Sequence, residues 1–344
     1  MSRHPYQSLG AAHFWSRSVS APGAHEVDPM LGSPFSITAS DRVGTMGSCF
    51  AQHLSRFLRR SGLNYFVPEA GDAERGYGVF SARYGNVYTV RQAVQLFDRA
   101  YGAWQPLDSA WRRGDVYVDP FRPQVDPSGF ASEADLDADR VEHLAAVRRV
   151  FEESSVLVFT LGLTEGWRDR RDGAVYPVVP GAAGGDFDPS RHEFVNFTAA
   201  EVTEDLLAFI DRVRGVNPDI RFLLTVSPVP LIATYTDAHV LAATTYSKSV
   251  LRVAAAEAER SRDGVLYFPS YEVITSPAAG NSYFEDDLRS VSDRGVAHVM
   301  RVFSAHFLEE PAAPVDDAEV DERIAAEFRR TAQVACDEEV LDAG

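Results

Sequence analysis

Val43-Gly-Thr-Met-Gly-Ser-Cys-Phe-Ala51 runs directly into Gln52-His-Leu-Ser-Arg-Phe-Leu-Arg-Arg60. The first part is short and apolar and carries Gly44 and Gly47. The second repeats apolar residues at Phe50, Leu54, Phe57 and Leu58, the spacing of one helix face. A strand that stops at a glycine and turns at once into a helix leaves its turn residues on the rim of a sheet. In an open α/β sheet that rim is where ligands bind. Here it holds two nucleophile types, Ser48 and Cys49, beside the positive end of a helix, where a thiolate or an oxyanion is stabilised. A tight turn with a small, inert cysteine has the same local pattern, so the turn alone does not decide the chemistry.

Outward from this stretch the strand–helix alternation continues. Val156-Leu-Val-Phe-Thr-Leu161 is a short, bounded apolar run, the signature of a buried parallel strand. Residues 221–226 and 265–268 repeat it, and Tyr65-Phe66-Val67 offers a further strand. Helices are expected over 50–61, 90–101, 137–153, 199–214, 239–260 and 293–308, with Thr89 capping the second. The alternation predicts a parallel, three-layer α/β sheet. Segments 47–51, 84–89, 162–167 and 283–290 then gather at one edge. Stretches 102–136 and 168–198 are Gly/Pro-rich insertions, the second holding His192 and Asn196. In the first, Trp104, Trp111, Tyr117, Phe121 and Phe130 are expected to pack the excursion down. Residues 1–42, with four prolines among Tyr6, Phe14, Trp15 and Phe35, read as an extended arm packed on a surface. The organisation expected is an arm over 1–42, one domain over 43–310, and a tail over 311–344 with an exposed helix around 317–335.

The 344 residues carry a formal net charge of −17, which argues against a nucleic-acid or anionic-membrane partner. Residues 309–344 hold 12 acidic and 3 basic side chains, so −9 of that charge sits in the tail and −8 in the body. Lys248 is the only lysine, which makes it a position where arginine would not serve equally. Two cysteines, Cys49 and Cys336, make no disulfide framework and fit a reducing compartment. The first twenty residues lack the apolar run of a signal peptide, and no window approaches a membrane span. A cytoplasmic protein is expected, with no membrane partner and an open oligomeric state. There is no Walker loop, no dinucleotide glycine fingerprint and no His-Glu-x-x-His run, and the nine histidines show no clear metal-ligand spacing. Neither a cofactor nor a metal is expected.

Several blocks together resemble the GSCFA family: Gly47-Ser-Cys-Phe-Ala51, Tyr84-Gly-Asn-Val-Tyr-Thr89, Thr160-Leu-Gly-Leu-Thr-Glu-Gly-Trp167, Thr225-Val-Ser-Pro-Val-Pro230, Ser247-Lys-Ser249 and Phe268-Pro-Ser-Tyr-Glu272. The resemblance covers most of residues 40–305. It implies a place among the SGNH/GDSL hydrolases, flavodoxin-like three-layer α/β/α esterases and acyltransferases, here with loop-rich insertions. Those enzymes carry the nucleophile in a Gly-Asp-Ser turn after the first strand. Laid on that turn, Gly47-Ser-Cys49 puts Cys49 at the nucleophile, with Ser48 beside it as the other choice. Gly85 or Asn86 stands where an oxyanion-hole glycine belongs. Gly162-Leu-Thr-Glu165 lies where an asparagine block belongs but offers Thr164 and Glu165. The acid/base motif Asp-x-x-His falls on Asp287-Leu-Arg-Ser290, with serine in place of histidine. A serine hydroxyl is no base at neutral pH, so His298, His192 and His53 become alternatives to Ser290, with Asp287 orienting whichever serves. Lys248 either binds an anionic substrate group or pairs on a helix surface.

Two functions of different classes follow from the resemblance. One is an SGNH-like acyl transfer or ester hydrolysis acting on a glycan or a small biosynthetic intermediate. The other is a catalytically degenerate member that binds a glycan or a protein, for which the serine at 290 speaks.

Overall fold

The computed structural model describes residues 4–72, 75–309 and 337–342. Its helices in chain order are α1 (Trp15–Ser18), α2 (Ala51–Arg60), α3 (Val90–Ala100), α4 (Glu133–Glu153), α5 (Ala199–Val216), α6 (Val240–Ser261), α7 (Ser270–Ile274) and α8 (Asp293–Phe307). Its strands are β1 (Val43–Gly47), β2 (Trp111–Arg113), β3 (Val116–Val118), β4 (Val156–Leu161), β5 (Glu165–Asp169), β6 (Val175–Tyr176), β7 (His192–Asn196), β8 (Arg221–Val226) and β9 (Val265–Tyr267). The chain divides into two compact units, one built on Ala39–Tyr267 and the other on Met1–Thr38 with Phe268–Gln333.

The first unit contains the expected parallel sheet, in the order β1-β4-β8-β9. Val43 pairs with Val156, Val156 with Arg221, and Phe222 with Val265, all in parallel. On the other edge of β1, Tyr65 makes a single parallel bridge to Val43. Counting that segment, the sequence order across the sheet is 2-1-3-4-5, the flavodoxin-like arrangement, whose switch point lies between β1 and β4. The strand expected over 65–67 shrinks to one bridge because Pro68 follows at once and has no N–H to extend a ladder. Helices flank the sheet in a three-layer α/β/α arrangement. α3 packs on α4 and α5, and α5 on α6. Phe209 of α5 meets Phe151, Phe159 and Phe222 with ring centroids 5.6–6.3 Å apart, joining the helical layer to β4 and β8. Thr89 caps α3 as expected, in a reciprocal box with Gln92.

Both insertions contain strands where loops were expected. Trp111–Arg113 and Val116–Val118 form a hairpin around Gly114, which has φ +60°. β5 lies between β6 and β7 in an antiparallel sheet, so residues 165–167, expected in a polar rim, begin a strand. Glu165-Gly-Trp-Arg-Asp169 lacks apolar alternation because its packing rests on one aromatic: the Trp167 ring lies 4.9 Å from that of Tyr235 and 5.9 Å from that of Phe194. The excursion aromatics do pack. Trp111, Val118, Ala174 and Tyr176 form a buried cluster, with Trp104 and Phe121 against it.

In the second unit α7 packs on α8, and the Phe268 ring meets those of Phe303 and Phe307 edge to face, with centroids 5.6 and 5.8 Å apart. The N-terminal arm departs from expectation. It winds into short helical turns, and Tyr6 and Trp15 are each 65% exposed rather than packed. Its hold comes later, where Ile37 bridges Leu308 in parallel and the Phe35 ring lies 6.0 Å from Phe307. The helix expected around 317–335, and Cys336, lie outside the described residues. Among those described, no helix is long and apolar enough to cross a membrane.

Candidate functional site

The site grows from the end of β1. Gly47 has φ +130°, and a Cβ there would collide with the carbonyl oxygen of Thr160 on the neighbouring strand. Only glycine lets the two backbones approach this closely. The Ser48 N–H then donates to that Thr160 carbonyl at 3.0 Å, so Ser48 still belongs to the ladder and Cys49 is the first residue beyond it. A helical turn starts immediately, with Ala51 N–H on Ser48 O and Gln52 N–H on Cys49 O. The amide N–H groups of Cys49 and Phe50, left over at the start of that turn, donate to nothing among the described residues.

Two further segments close on this turn. Val87 N–H donates to Gly47 O at 2.9 Å, and the N–H groups of Gly162 and Leu163 both donate to Tyr88 O. Gly162 faces Ser48 so closely that a Cβ on it would lie 3.0 Å from the Ser48 Cβ. Three of the four expected segments, 47–51, 84–89 and 162–167, thus meet at the switch point of the sheet. Gly85 is half-buried with φ +68°, and Asn86 is buried.

Deeper layers fix the third segment. Lys248, 2% exposed on α6, donates Nζ to Gly162 O at 2.7 Å, so it neither sits on a helix surface nor reaches solvent. Ser247 Oγ accepts the Thr164 N–H at 3.0 Å, and Thr164 Oγ1 donates to Asn196 Oδ1 at 2.7 Å. Glu165 accepts the Thr234 hydroxyl at 2.7 Å and the Tyr235 N–H. Burial raises its pKa above the ordinary glutamate value, with those two hydrogen bonds opposing. Ser48 Oγ is buried without a hydrogen-bond partner. Cys49 is a free thiol, expected on an open rim, and is only 3% exposed.

His53, an alternative base, is buried on α2, and burial with Arg56 nearby lowers its pKa to about 3. The remaining expected residues belong to the second unit. Asp287 accepts the N–H groups of Arg289 and Ser290 on Oδ1 and the Ser290 hydroxyl on Oδ2 at 2.6 Å, around Leu288 at φ +53°. These bonds hold the Asp287 carboxyl below the ordinary aspartate range against the effect of burial. His298 is 3% exposed, with Nδ1 2.7 Å from the Tyr283 hydroxyl, and burial lowers its pKa to about 4.

The structure also assembles a group that the sequence spacing did not reveal. Asp108, Asp169 and His192 bring ligand-type atoms within 4.8 Å of one another. Its hydrogen bonds do not fit a metal centre. Arg171 and Arg191 each bridge both carboxylates. His192 Nδ1 accepts the Asp188 N–H at 3.1 Å, so the neutral ring keeps its proton on Nε2. Metal-binding histidines donate through the nitrogen that the metal leaves free, and this one accepts there. The cluster ties the two insertions together as an ion-pair network.

Neither the curated proteins nor the solved structures contain a match to the chain. The sequence does match the GSCFA family over residues 42–303, from the residue before β1 into α8. With the Gly-Ser-Cys-Phe-Ala turn at the switch point of a flavodoxin-like sheet, and with most of its length matched, the chain belongs to the GSCFA family.

Proposed function

We propose that the Gly47-Ser-Cys49 turn is the centre of an SGNH-like acyl-transfer or esterase site with Cys49 as nucleophile. The thiolate adds to the carbonyl carbon of an ester or thioester, the alcohol or thiol leaves with a proton, and the acyl group stays on sulfur until a second hydroxyl or water takes it. The observation that carries this reading is the pair of Cys49 and Phe50 amide N–H groups, which donate to nothing among the described residues at a helix start. Donors held there stabilise a developing oxyanion, each worth about 3 kcal/mol. The place of Ser48 in the ladder supports Cys49 as the nucleophile. Glu165, a buried carboxyl of raised pKa on the third segment, is the group suited to exchange a proton with the substrate. The family resemblance supports a glycan or small biosynthetic intermediate as acceptor.

The burial of the thiol favours a second reading, a binding module without turnover. An activated aryl ester separates the two. Under the first reading wild type gains an acyl mass on Cys49 and turns the ester over, Cys49→Ala does neither, and Ser48→Ala keeps the adduct. A folded wild type that forms no adduct and shows no turnover refutes acyl transfer. An adduct lost in Ser48→Ala and kept in Cys49→Ala moves the nucleophile to Ser48.

A further inference from the structure

Beside the turn, the segment carrying Tyr84 and Asn86 forms one wall of a separate cleft. Arg99, Phe121, Arg122 and His143 also line this cleft, which is partly open to solvent. The cleft is narrow, with a cavity volume of about 20 Å³. Arg99 is 8% exposed and Arg122 2%, yet Arg99 Nη2 and Arg122 Nη1 are buried with no hydrogen-bond partner. Nearby, Arg83 Nε and Nη2 are unpartnered as well.

The carboxylates around this corner are already committed. Asp119 accepts the Phe121 N–H at 2.9 Å, Arg122 Nε at 3.1 Å and Arg140 Nε at 3.2 Å. It also pairs with Arg99 Nη2 at 3.8 Å, an ion-pair contact too long for a hydrogen bond. Asp139 is shared between Arg83 at 2.7 Å and Arg122 at 2.5 Å. Glu69 takes the Arg83 N–H and the His143 ring. His143 adds no charge at neutral pH, since burial and Arg122 lower its pKa to about 4. Arg99 is therefore a desolvated guanidinium without a hydrogen-bonded counter-ion. Burial lowers even its pKa to about 10, which leaves it charged. Its guanidinium carbon lies over the Phe121 ring, 4.0 Å from the centroid.

We infer that this cleft is an oxyanion-binding site in which Arg99 and Arg122 hold a carboxylate or a phosphate. Asp119 is a long ion partner of Arg99 that accepts none of its N–H groups; a water could accept from such a group but brings no charge, whereas an oxyanion brings both an acceptor and a charge. Planar guanidiniums whose donors are fixed in advance are suited to that ligand. The inference stands apart from the acyl-transfer reading, because it requires no chemistry at Cys49. The anion is either a free ion or the charged group of a substrate.

The test uses the full chain and inorganic phosphate, titrated calorimetrically at constant ionic strength with chloride as the balancing salt. Wild type should bind phosphate saturably, at about one ion per chain. Arg99→Gln should weaken binding about tenfold or more, the loss of one charge-assisted contact. Arg99→Lys should recover part of it, and Arg260→Gln, on the exposed face of α6, should leave it unchanged. No saturable binding to wild type overturns the inference, and that result needs no variant to fold. Equal binding by wild type and folded Arg99→Gln overturns it too. A second arm assigns the source of the anion. Phosphate that protects Cys49 from acylation by a carboxylate-bearing ester, and not by its neutral counterpart, upholds the site as a substrate pocket. Saturable binding without such protection upholds it as a site for a free ion.

Discussion

Acidification from pH 7 to pH 5 should destabilise the protein, because several of its histidines are buried as neutral rings. Burial is the first cause in each of three cases: His53 falls to about 3, His143 to about 4 and His298 to about 4, against an ordinary value of 6.5. His192 moves in the same direction. In the unfolded chain these rings take up protons below pH 6.5, while in the folded chain they stay neutral until about pH 4. The unfolded state therefore binds more protons between those limits, and stability falls as pH falls through that window. Each pH unit on each group is worth about 1.36 kcal/mol. From pH 7 to pH 5 the three rings together remove about 5 kcal/mol, comparable with the whole stability of a marginal protein. Glu165 and Asp205, whose pKa values burial raises, take protons preferentially in the folded state and offset part of this. Urea unfolding at pH 7, 6 and 5 at fixed ionic strength measures the slope. Each single His→Gln change at 53, 143 or 298 should reduce it by about one proton, whatever it does to stability at pH 7. An unfolding free energy that changes by less than about 1 kcal/mol from pH 7 to 5 would refute the reasoning.

Gly47→Ala should cost about 3 kcal/mol or more, from an unfavourable positive φ and a clash with Thr160 O that only separation of β1 from β4 relieves. Urea midpoints compared with Gly10→Ala, where nothing lies within 4 Å of the added Cβ, provide the measurement. Lys248→Met leaves the Gly162 carbonyl without its ammonium donor and should cost about 1–3 kcal/mol, read by thermal unfolding. Glu165→Gln removes a carboxyl that the fold prefers protonated, so the gain in midpoint over wild type should be larger at pH 8 than at pH 5.

The parallel sheet was legible because its strands are buried on both faces and read as unbroken apolar runs. Val156–Leu161 and Arg221–Val226 have the bounds expected of them. The small antiparallel sheets were not legible. Their strands gain stability from single aromatics such as Trp111 and Trp167 meeting rings far away in sequence, a signal with no local period. Of the site, the glycines at 47 and 162 were readable as turn residues, and the structure gives them their reason, backbone approach. Lys248 was singled out for its rarity, but its buried bond to Gly162 O depends on how α6 docks. Arg99 and Arg122 went unremarked among so many arginines, since only the fold places them around one cleft.

The pairing of β1 sets a timetable for synthesis. One side of Val43 is met by Tyr65, 22 residues on, and the other by Val156, 113 residues on. A ribosome adding about 5–20 residues per second needs roughly 6–23 s to make the chain between Val43 and Val156. For that interval the edge of β1 that will receive β4 has no partner of its own, and it carries the apolar Val43 and Met46 and the bare backbone of Gly44 and Gly47. Slower translation of residues 102–136 would lengthen this exposure, so aggregation of the nascent chain should respond to codon choice in that insertion more than to codon choice after β4.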